Sequence, residues 1–478
     1  MKRRIVSFFL IPFCVLWLLV SSNAETAGDT GRRIDTYLQR ASKDACIPGM
    51  AVIIVDQDSL LLSGTYGNCD SINTPFIIGS LSKSFTALCI MRLAEQGKVN
   101  LDEKLSTYLP DATDGDNITV RQLLNQTSGL GQYQTLSNFK ITASHGKHQY
   151  ANVNYGLLGE IVEAVSGKGY DKYVTESVFL PLGMRHSGAS LEKGRENGLI
   201  AGYRNYFGFP IAGEANYPLK NSWGQVPAGY ISSSAADMGK YLQMYLNRGE
   251  NVVSAKSIDS VFYDNVPVNQ GSSFYGMGWS LSNEYRQPLL AHSGLVENYI
   301  SYMFILPESK IGGAILANTN DYLVTNNILE KDIRKNLLLM LTGAAPTEAS
   351  HYTYLTSHLL IDIGYLLVFL TAVLPLIFLR RYMRRLSVEQ KNRAIIAVIA
   401  LHFALPTALI FASNIFGVPL WVIRDYVPDL FWVLAISTFL LYTTGGIKAY
   451  LLHLIIIEFE KDQKTRKTLD VLQASHLL

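Results

Sequence analysis

The chain has little cysteine and no excess of charge. Its 478 residues hold four cysteines, and 41 Lys+Arg stand against 39 Asp+Glu for a net charge of +2. So even a balance leaves no electrostatic footprint for nucleic acid, and none is expected as a partner. The cysteines leave room for one disulfide in an exported domain. Cys14 lies in the N-terminal apolar segment, and Cys89 falls on the apolar side of a helix as packing. That leaves Cys46 and Cys69, which flank a predicted hairpin of Ala51 to Val55 and Leu60 to Tyr66. Pairing about the Gln57-Asp58 turn sets the two thiols opposite each other, and a slip of one residue would part them.

What is abundant is apolar content, 48% of the chain, and it is concentrated at the two ends. Met1-Lys-Arg-Arg4, then Ile5 to Val20, then Ser22-Asn-Ala24 reads as a signal peptide over residues 1–24, cleaved after Ala24. A domain is expected over 25–341 and a small-residue linker over 342–358. Leu359 to Leu379, Ala394 to Phe416 and Leu430 to Ile447 read as three membrane spans, since a bilayer needs about 20 apolar residues. Arg380, Arg381, Arg384, Arg385, Lys391 and Arg393 between the first two place that loop in the cytoplasm. The chain is thus expected in the cell membrane, multi-pass, with residues 25–341 outside and 448–478 as a cytoplasmic tail. Lys448 and Glu458 bracket a segment that either spans or lies along the inner surface.

Within the exported part, Phe76-Ile-Ile-Gly-Ser80-Leu-Ser-Lys83 reads as a strand end, a glycine turn and a serine opening a helix. Residues three apart share a helix face, so Lys83 lies against Ser80. A lysine desolvated by burial can take a serine's proton and make it a nucleophile. Ser-x-x-Lys also occurs at Ser137, Ser144 and Ser190, but only Ser80 precedes a periodic apolar helix, with Phe85, Leu88, Cys89 and Leu93. Tyr150-Ala-Asn152 leads into a second apolar helix. There a phenol can relay protons and an amide can hold both the lysine and a substrate amide. His292-Ser293-Gly294-Leu295 follows at a strand edge facing a pocket. The alternative for each is structural: a capping serine, a packed tyrosine, an asparagine helix cap and a core histidine. Val226 to Asp237 and Tyr275 to Ser280 are read as structural, and Glu297 and Asn298 as groups that can meet a substrate amine or amide.

Taken in order, Ser80-x-x-Lys83, Tyr150-x-Asn152 and His292-x-Gly294 resemble the serine β-lactamase and penicillin-binding protein superfamily, in its class C β-lactamase and D-alanyl-D-alanine carboxypeptidase branch. Cys46-Ile-Pro-Gly-Met, Gln126-Thr-Ser-Gly, Pro181-Leu-Gly-Met, Ala228-Gly-Tyr-Ile-Ser-Ser and Gly276-Met-Gly-Trp agree with it. The resemblance implies an α+β fold, an antiparallel sheet flanked by helices with an all-helical lobe. It implies Ser80, Lys83 and Tyr150 as catalytic residues and Asn152, His292, Ser293, Gly294 and Leu295 around the substrate. The backbone N–H groups of Ser80 and Leu295 would form an oxyanion hole, and neither metal nor cofactor would be needed. His292 departs from the lysine that many penicillin-recognising members carry. The layout with three C-terminal spans is similar to the peptidase of colibactin maturation, which implies a peptidase beside an exporter. The expected activity is hydrolysis through an acyl-enzyme on a small peptide, amide or ester, the first choice being a peptide with a D-amino acid. β-Lactam or ester hydrolysis, and a sensor that acylates without turnover, are the alternatives. The short cytoplasmic segments offer no room for a signalling domain.

Overall fold

The computed structural model describes residues 27–142, 146–213, 223–268, 272–285, 287–347, 353–385, 390–415 and 417–475. The signal-peptide reading of residues 1–24 lies outside them. Chain order begins with helix α1 (Ala27–Asp44) and the hairpin β1 (Gly49–Val55) and β2 (Leu60–Gly67). Next come α2 (Ser82–Glu95), α3 (Asn152–Ser166) and α4 (Ala235–Leu246). Six strands follow: β3 (Val266–Pro267), β4 (Phe274–Gly276), β5 (Trp279–Glu284), β6 (Gln287–Val296), β7 (Tyr299–Leu306) and β8 (Ile311–Ala317). Helix α5 (Arg334–Leu341) closes the domain.

The eight strands form one antiparallel sheet in the order β2-β1-β8-β7-β6-β5-β4-β3. Its central strands read as unbroken apolar runs because both faces are covered. In β1, Ala51, Ile53 and Val55 join the core under α2, α3 and α4, while Met50, Val52 and Ile54 join a second core with residues of α1 and α5. Side chains alternate across a strand, so burial on both faces demands apolar residues at every position. The α+β architecture and its helical lobe between α2 and α4 are as the sequence implies.

The β1–β2 hairpin does not pair as expected. Gly49 faces Gly67 and Ile54 faces Leu62, but Val55 faces Leu60, because an irregularity between Ile54 and Val55 takes up one residue. That shift moves Cys46 out of register with Cys69. Cys46, exposed in a left-handed conformation, and buried Cys69 and Cys89 are free thiols.

Three helices beyond residue 352 are long and apolar enough to cross a membrane. The first, α6 (Thr353–Ile377), begins six residues before the expected span. The second, α7, runs as Lys391–Ile399 and Leu405–Ile415 joined by a π turn at Ala400–Ala404. A short helix α8 (Leu420–Tyr426) then leads into α9 (Pro428–Ser475), 48 residues without a break. The expected boundary at Ile447 is therefore not a helix end. Leu359, Leu360 and Leu367 are 60%, 66% and 59% exposed, which is the surface a hydrocarbon layer would cover.

The membrane module is docked on the domain through polar contacts. Tyr354 Oη donates to the Gly208 carbonyl at 2.8 Å and accepts from Asn205 Nδ2 at 2.7 Å. His358 Nε2 lies 2.8 Å from Asp321 Oδ2, and the Phe207 N–H donates to Asp429 at the start of α9. With the thiols as placed, alkylation of the native protein without reductant should modify Cys46 and spare Cys69 and Cys89, and denaturation should release both. A Cys46–Cys69 peptide crosslink in the unreduced digest would contradict this register.

Candidate active site

Ser80 lies on a 3₁₀ turn, Gly79–Leu81, that runs straight into α2, so it precedes the helix rather than opening it. The turn is fixed from beneath: Ser82 Oγ donates to the Gly79 carbonyl at 2.7 Å and accepts from the Ile231 N–H at 3.1 Å. Lys83 follows in the first turn of α2, fully buried. Its Nζ is 3.0 Å from Ser80 Oγ, 2.8 Å from Asn152 Oδ1 and 2.6 Å from the Ala228 carbonyl oxygen.

Those three partners surround the amine with oxygens that carry no charge. Burial pushes the Lys83 amine well below its ordinary 10.5, and all three neighbours are neutral oxygens, so no carboxylate offsets the desolvation. An unprotonated amine has two hydrogens and one lone pair. Asn152 Oδ1 and the Ala228 carbonyl can only accept, so they take the hydrogens, and the lone pair is left facing the Ser80 hydroxyl. Among these groups, the geometry of a neutral amine and its base function coincide.

Tyr150, half-buried, sets its ring 4.8 Å from Lys83 Nζ. Burial and then the nearby Tyr275 push its phenol well above 10, against a hydrogen bond with Ser80 that pulls the other way. Burial thus favours the neutral form of both groups, the protonated phenol and the free amine. The segment is held by Gln126, a left-handed residue whose Oε1 accepts from the Ala151 N–H at 3.0 Å, and by Ser128 Oγ, which donates to Asn154 Oδ1 at 2.6 Å. Ala151 is the N-cap of α3, and Asn152 is its first helical residue rather than the cap.

His292 stands where β6 loses its neighbour. Pairing with β5 ends at Ala291 opposite Ser280, leaving β6 open from His292 onward toward the cleft. Its Nδ1 is 2.7 Å from the Ser293 carbonyl oxygen and must donate there, so Nε2 is the acceptor, 3.4 Å from Tyr275 Oη. Burial above all pushes its pKa down to about 3, against the hydrogen bond to Ser293. His292 is thus a neutral ring at physiological pH, and no fixed cation for a carboxylate.

Ser293 needs correction as a cleft residue. It alternates to the other face of β6, where its exposed hydroxyl donates to Glu330. Gly294 returns to the cleft side, where a Cβ would sit 2.2 Å from both the Ile78 carbonyl oxygen and Ser301 Oγ, while Leu295 borders the cleft cavity with its side chain packed against the second core. Gly79, at φ +55°, brings the serine turn equally close, since a Cβ there would lie 2.4 Å from Leu295 N. Glu297 and Asn298 are likewise committed elsewhere. Tyr230 Oη donates to the Glu297 carboxylate at 2.8 Å, and Asn298 bridges Arg204 Nε and the Gly213 carbonyl at 2.7 and 3.0 Å.

Three kinds of contributor escape a reading of motifs: a backbone carbonyl, two side chains and a second module. The Ala228 carbonyl, on the π turn Val226–Tyr230, acts through backbone that any residue supplies. Tyr275 and Gln126 sit in phrases the sequence does contain, Tyr275-Gly-Met-Gly and Gln126-Thr-Ser-Gly, but only the fold turns them toward Tyr150 and His292. The third is the membrane module itself. A cavity of about 420 Å³ beside Ser80, Tyr150, Asn152 and Leu295 has its far wall on α8 and its flanking residues.

Comparison with known proteins identifies the family of the domain. The Beta-lactamase family model matches residues 34–335, and the chain belongs to that family. It is 28% identical over 327 residues to Protein flp of Staphylococcus aureus (strain MRSA252), covering 61% of this chain and 64% of that relative's length. The octameric penicillin-binding protein homologue from Pyrococcus abyssi superposes with a TM-score of 0.58 at 26% identity, over 68% of this chain and 80% of that one. A class C β-lactamase in complex with cefoxitin gives a TM-score of 0.56 at 20% identity, over 65% and 99% of the two chains, a likeness of fold. The domain is thus a serine β-lactamase/penicillin-binding-protein-like hydrolase fold carrying three apolar C-terminal helices.

The close approach of β6 to the serine turn makes a sharp test. Gly294→Ala should cost about 1–3 kcal/mol through overpacking and strongly slow modification of Ser80 by a fluorophosphonate. A normal thermal midpoint with normal labelling would contradict the packing described.

Proposed function

We propose that the protein is a membrane-anchored serine hydrolase, its domain outside the cell, that cleaves amide bonds in small peptides containing a D-amino acid. The observation that carries the reading is the buried Lys83 amine, whose Nζ lies 3.0 Å from Ser80 Oγ and is held by two acceptors, Asn152 Oδ1 and the Ala228 carbonyl.

In this mechanism Lys83 takes the Ser80 proton as Oγ bonds to the substrate carbonyl carbon. Negative charge gathers on the carbonyl oxygen, met by the backbone N–H groups of Ser80 and Leu295; one such donor is worth about 3–4 kcal/mol. Tyr150, still protonated, gives its proton to the leaving amine as the carbon–nitrogen bond breaks, and it recovers one from Lys83. Water then passes a proton to Lys83 as it attacks the ester carbon, and Lys83 returns that proton to Ser80 Oγ as the carbon–oxygen bond breaks and the acid departs. Asn152 holds Lys83 with one end of its amide and is free to meet the substrate amide with the other. His292, uncharged and accepting at Nε2 from Tyr275, favours a neutral substrate group over the free carboxylate of a penicillin or a peptide C-terminus. β-Lactams and simple esters, acceptable to the same machinery, are therefore expected to be the poorer substrates.

Ser80→Ala should abolish fluorophosphonate labelling and all hydrolysis, and equal labelling of both proteins would refute the nucleophile. The wild-type labelling rate should fall on acidification and stay flat above the limb. Lys83 loses its lone pair on protonation, His292 does not titrate until about 3, and Tyr150 titrates well above 10. Because burial lowers the Lys83 pKa, the limb should lie far below 10.5; a rate that still climbs up to 10.5 would contradict it. In a panel of D- and L-aminoacyl amides, nitrocefin and nitrophenyl esters, the D-amides should give the highest kcat/KM. A preference for nitrocefin would replace the peptidase reading with that of a β-lactamase, and lasting acylation without turnover would replace it with a sensor.

A further inference from the structure

The cavity beside Ser80 is not completed by the catalytic domain. Its far wall is Val418, Val422, Ile423, Tyr426 and Val427, on and around the short helix between the second and third apolar helices. Val422, Ile423 and Tyr426 share one face of α8, at the three- and four-residue spacing of a helix. Every residue that lines the cavity is uncharged. The wall is also fastened. Trp421 packs its ring 5.1 Å from Trp223 and 6.1 Å from Tyr133, and Trp223 Nε1 donates to the Gln132 carbonyl at 2.7 Å. Behind it, Asp425 is 9% exposed and shares the environment of Glu297 and Tyr230, so α8 seals the cleft with its polar side turned inward as well.

Position adds the second half of the argument. Helix α8 joins the ends of two helices whose apolar lengths fit a bilayer, so a bilayer around those helices would put this wall at its surface next to the domain. Tryptophan and tyrosine are the side chains that settle at that level. Tyr322 and Leu323 line the same cavity and remain 52% and 38% exposed, an apolar lip on the open side.

We infer that the substrate pocket is composite, with the membrane module supplying a specificity-determining wall, and that it takes an extended, uncharged apolar group of the substrate. This rests on Ser80 being the nucleophile. The substrate is accordingly an amphiphile met at the bilayer surface, with its polar, scissile part at Ser80 and its apolar part beneath α8. Val422 and Ile423 set how long or broad that part can be.

The test uses the full chain in one detergent and reads Ser80 directly with ethyl, hexyl and decyl fluorophosphonates. Each methylene moved from water into an apolar site favours binding about fourfold. The second-order rate should therefore rise at least a hundredfold from ethyl to decyl. In Val422→Trp and, separately, Ile423→Trp, the decyl-to-ethyl ratio should fall at least tenfold, while partition of the probes into detergent is the same for all three proteins. A flat series in the wild type, or an unchanged ratio in both variants, overturns the composite pocket and leaves the nucleophile standing. No labelling with any probe overturns both. Protection from the decyl probe by an N-decanoyl amino-acid amide assigns the apolar group to a peptide, and protection by a lysophospholipid assigns it to a lipid; protection by neither overturns the pocket.

Discussion

A lysine that makes no ion pair, packed where water cannot reach it, is the constraint around which this domain is arranged. Burying an ammonium without a counter-ion is costly, and the group answers by giving up its proton. The cost is what makes Lys83 useful. The fold meets it with a helix buried along most of its length, α2, and with two oxygens brought from distant segments, Asn152 on α3 and Ala228 on the π turn. Neither oxygen alone would orient the lone pair. Together they leave it one direction, toward Ser80.

Much of this was legible in the sequence because much of it is local. Ser80 and Lys83 are three residues apart, so a helix unites them whatever else the chain does, and Tyr150 and Asn152 share one loop-to-helix step. The apolar run Ala51 to Val55 announced a strand, and the long apolar stretches after residue 352 announced the apolar helices. The failures have equally physical causes. The Cys46–Cys69 register depended on a single residue absorbed between Ile54 and Val55. Ser293 has the right neighbours and the wrong parity, because β6 turns alternate side chains to opposite faces. Ala228 contributes a carbonyl, which carries no signature in an amino-acid code. The contact of α8 with the cleft joins residues more than three hundred positions apart, and no local pattern records it.

The apolar helices meet the domain through specific contacts. Contacts at Tyr354, His358 and Asp429 hold the domain against the helix ends. The aromatic cluster of Tyr133, Trp223, Trp421 and Tyr426 then joins the catalytic lobe to the loop between two of those helices. A tether would need none of this. The electrostatics of the cleft point the same way, since a neutral His292 and an uncharged cavity wall suit a ligand without charge near the reacting carbon.

The protonation state of one side chain tests the account most directly. With lysines carrying carbon-13 at Cε, the Lys83 signal, assigned by its loss in Lys83→Met, can be followed by NMR across pH. Burial predicts the chemical shift of a free amine persisting far below the ordinary 10.5. An ammonium signal that yields only near 10.5 would contradict the central claim, since Ser80 would then have no base beside it.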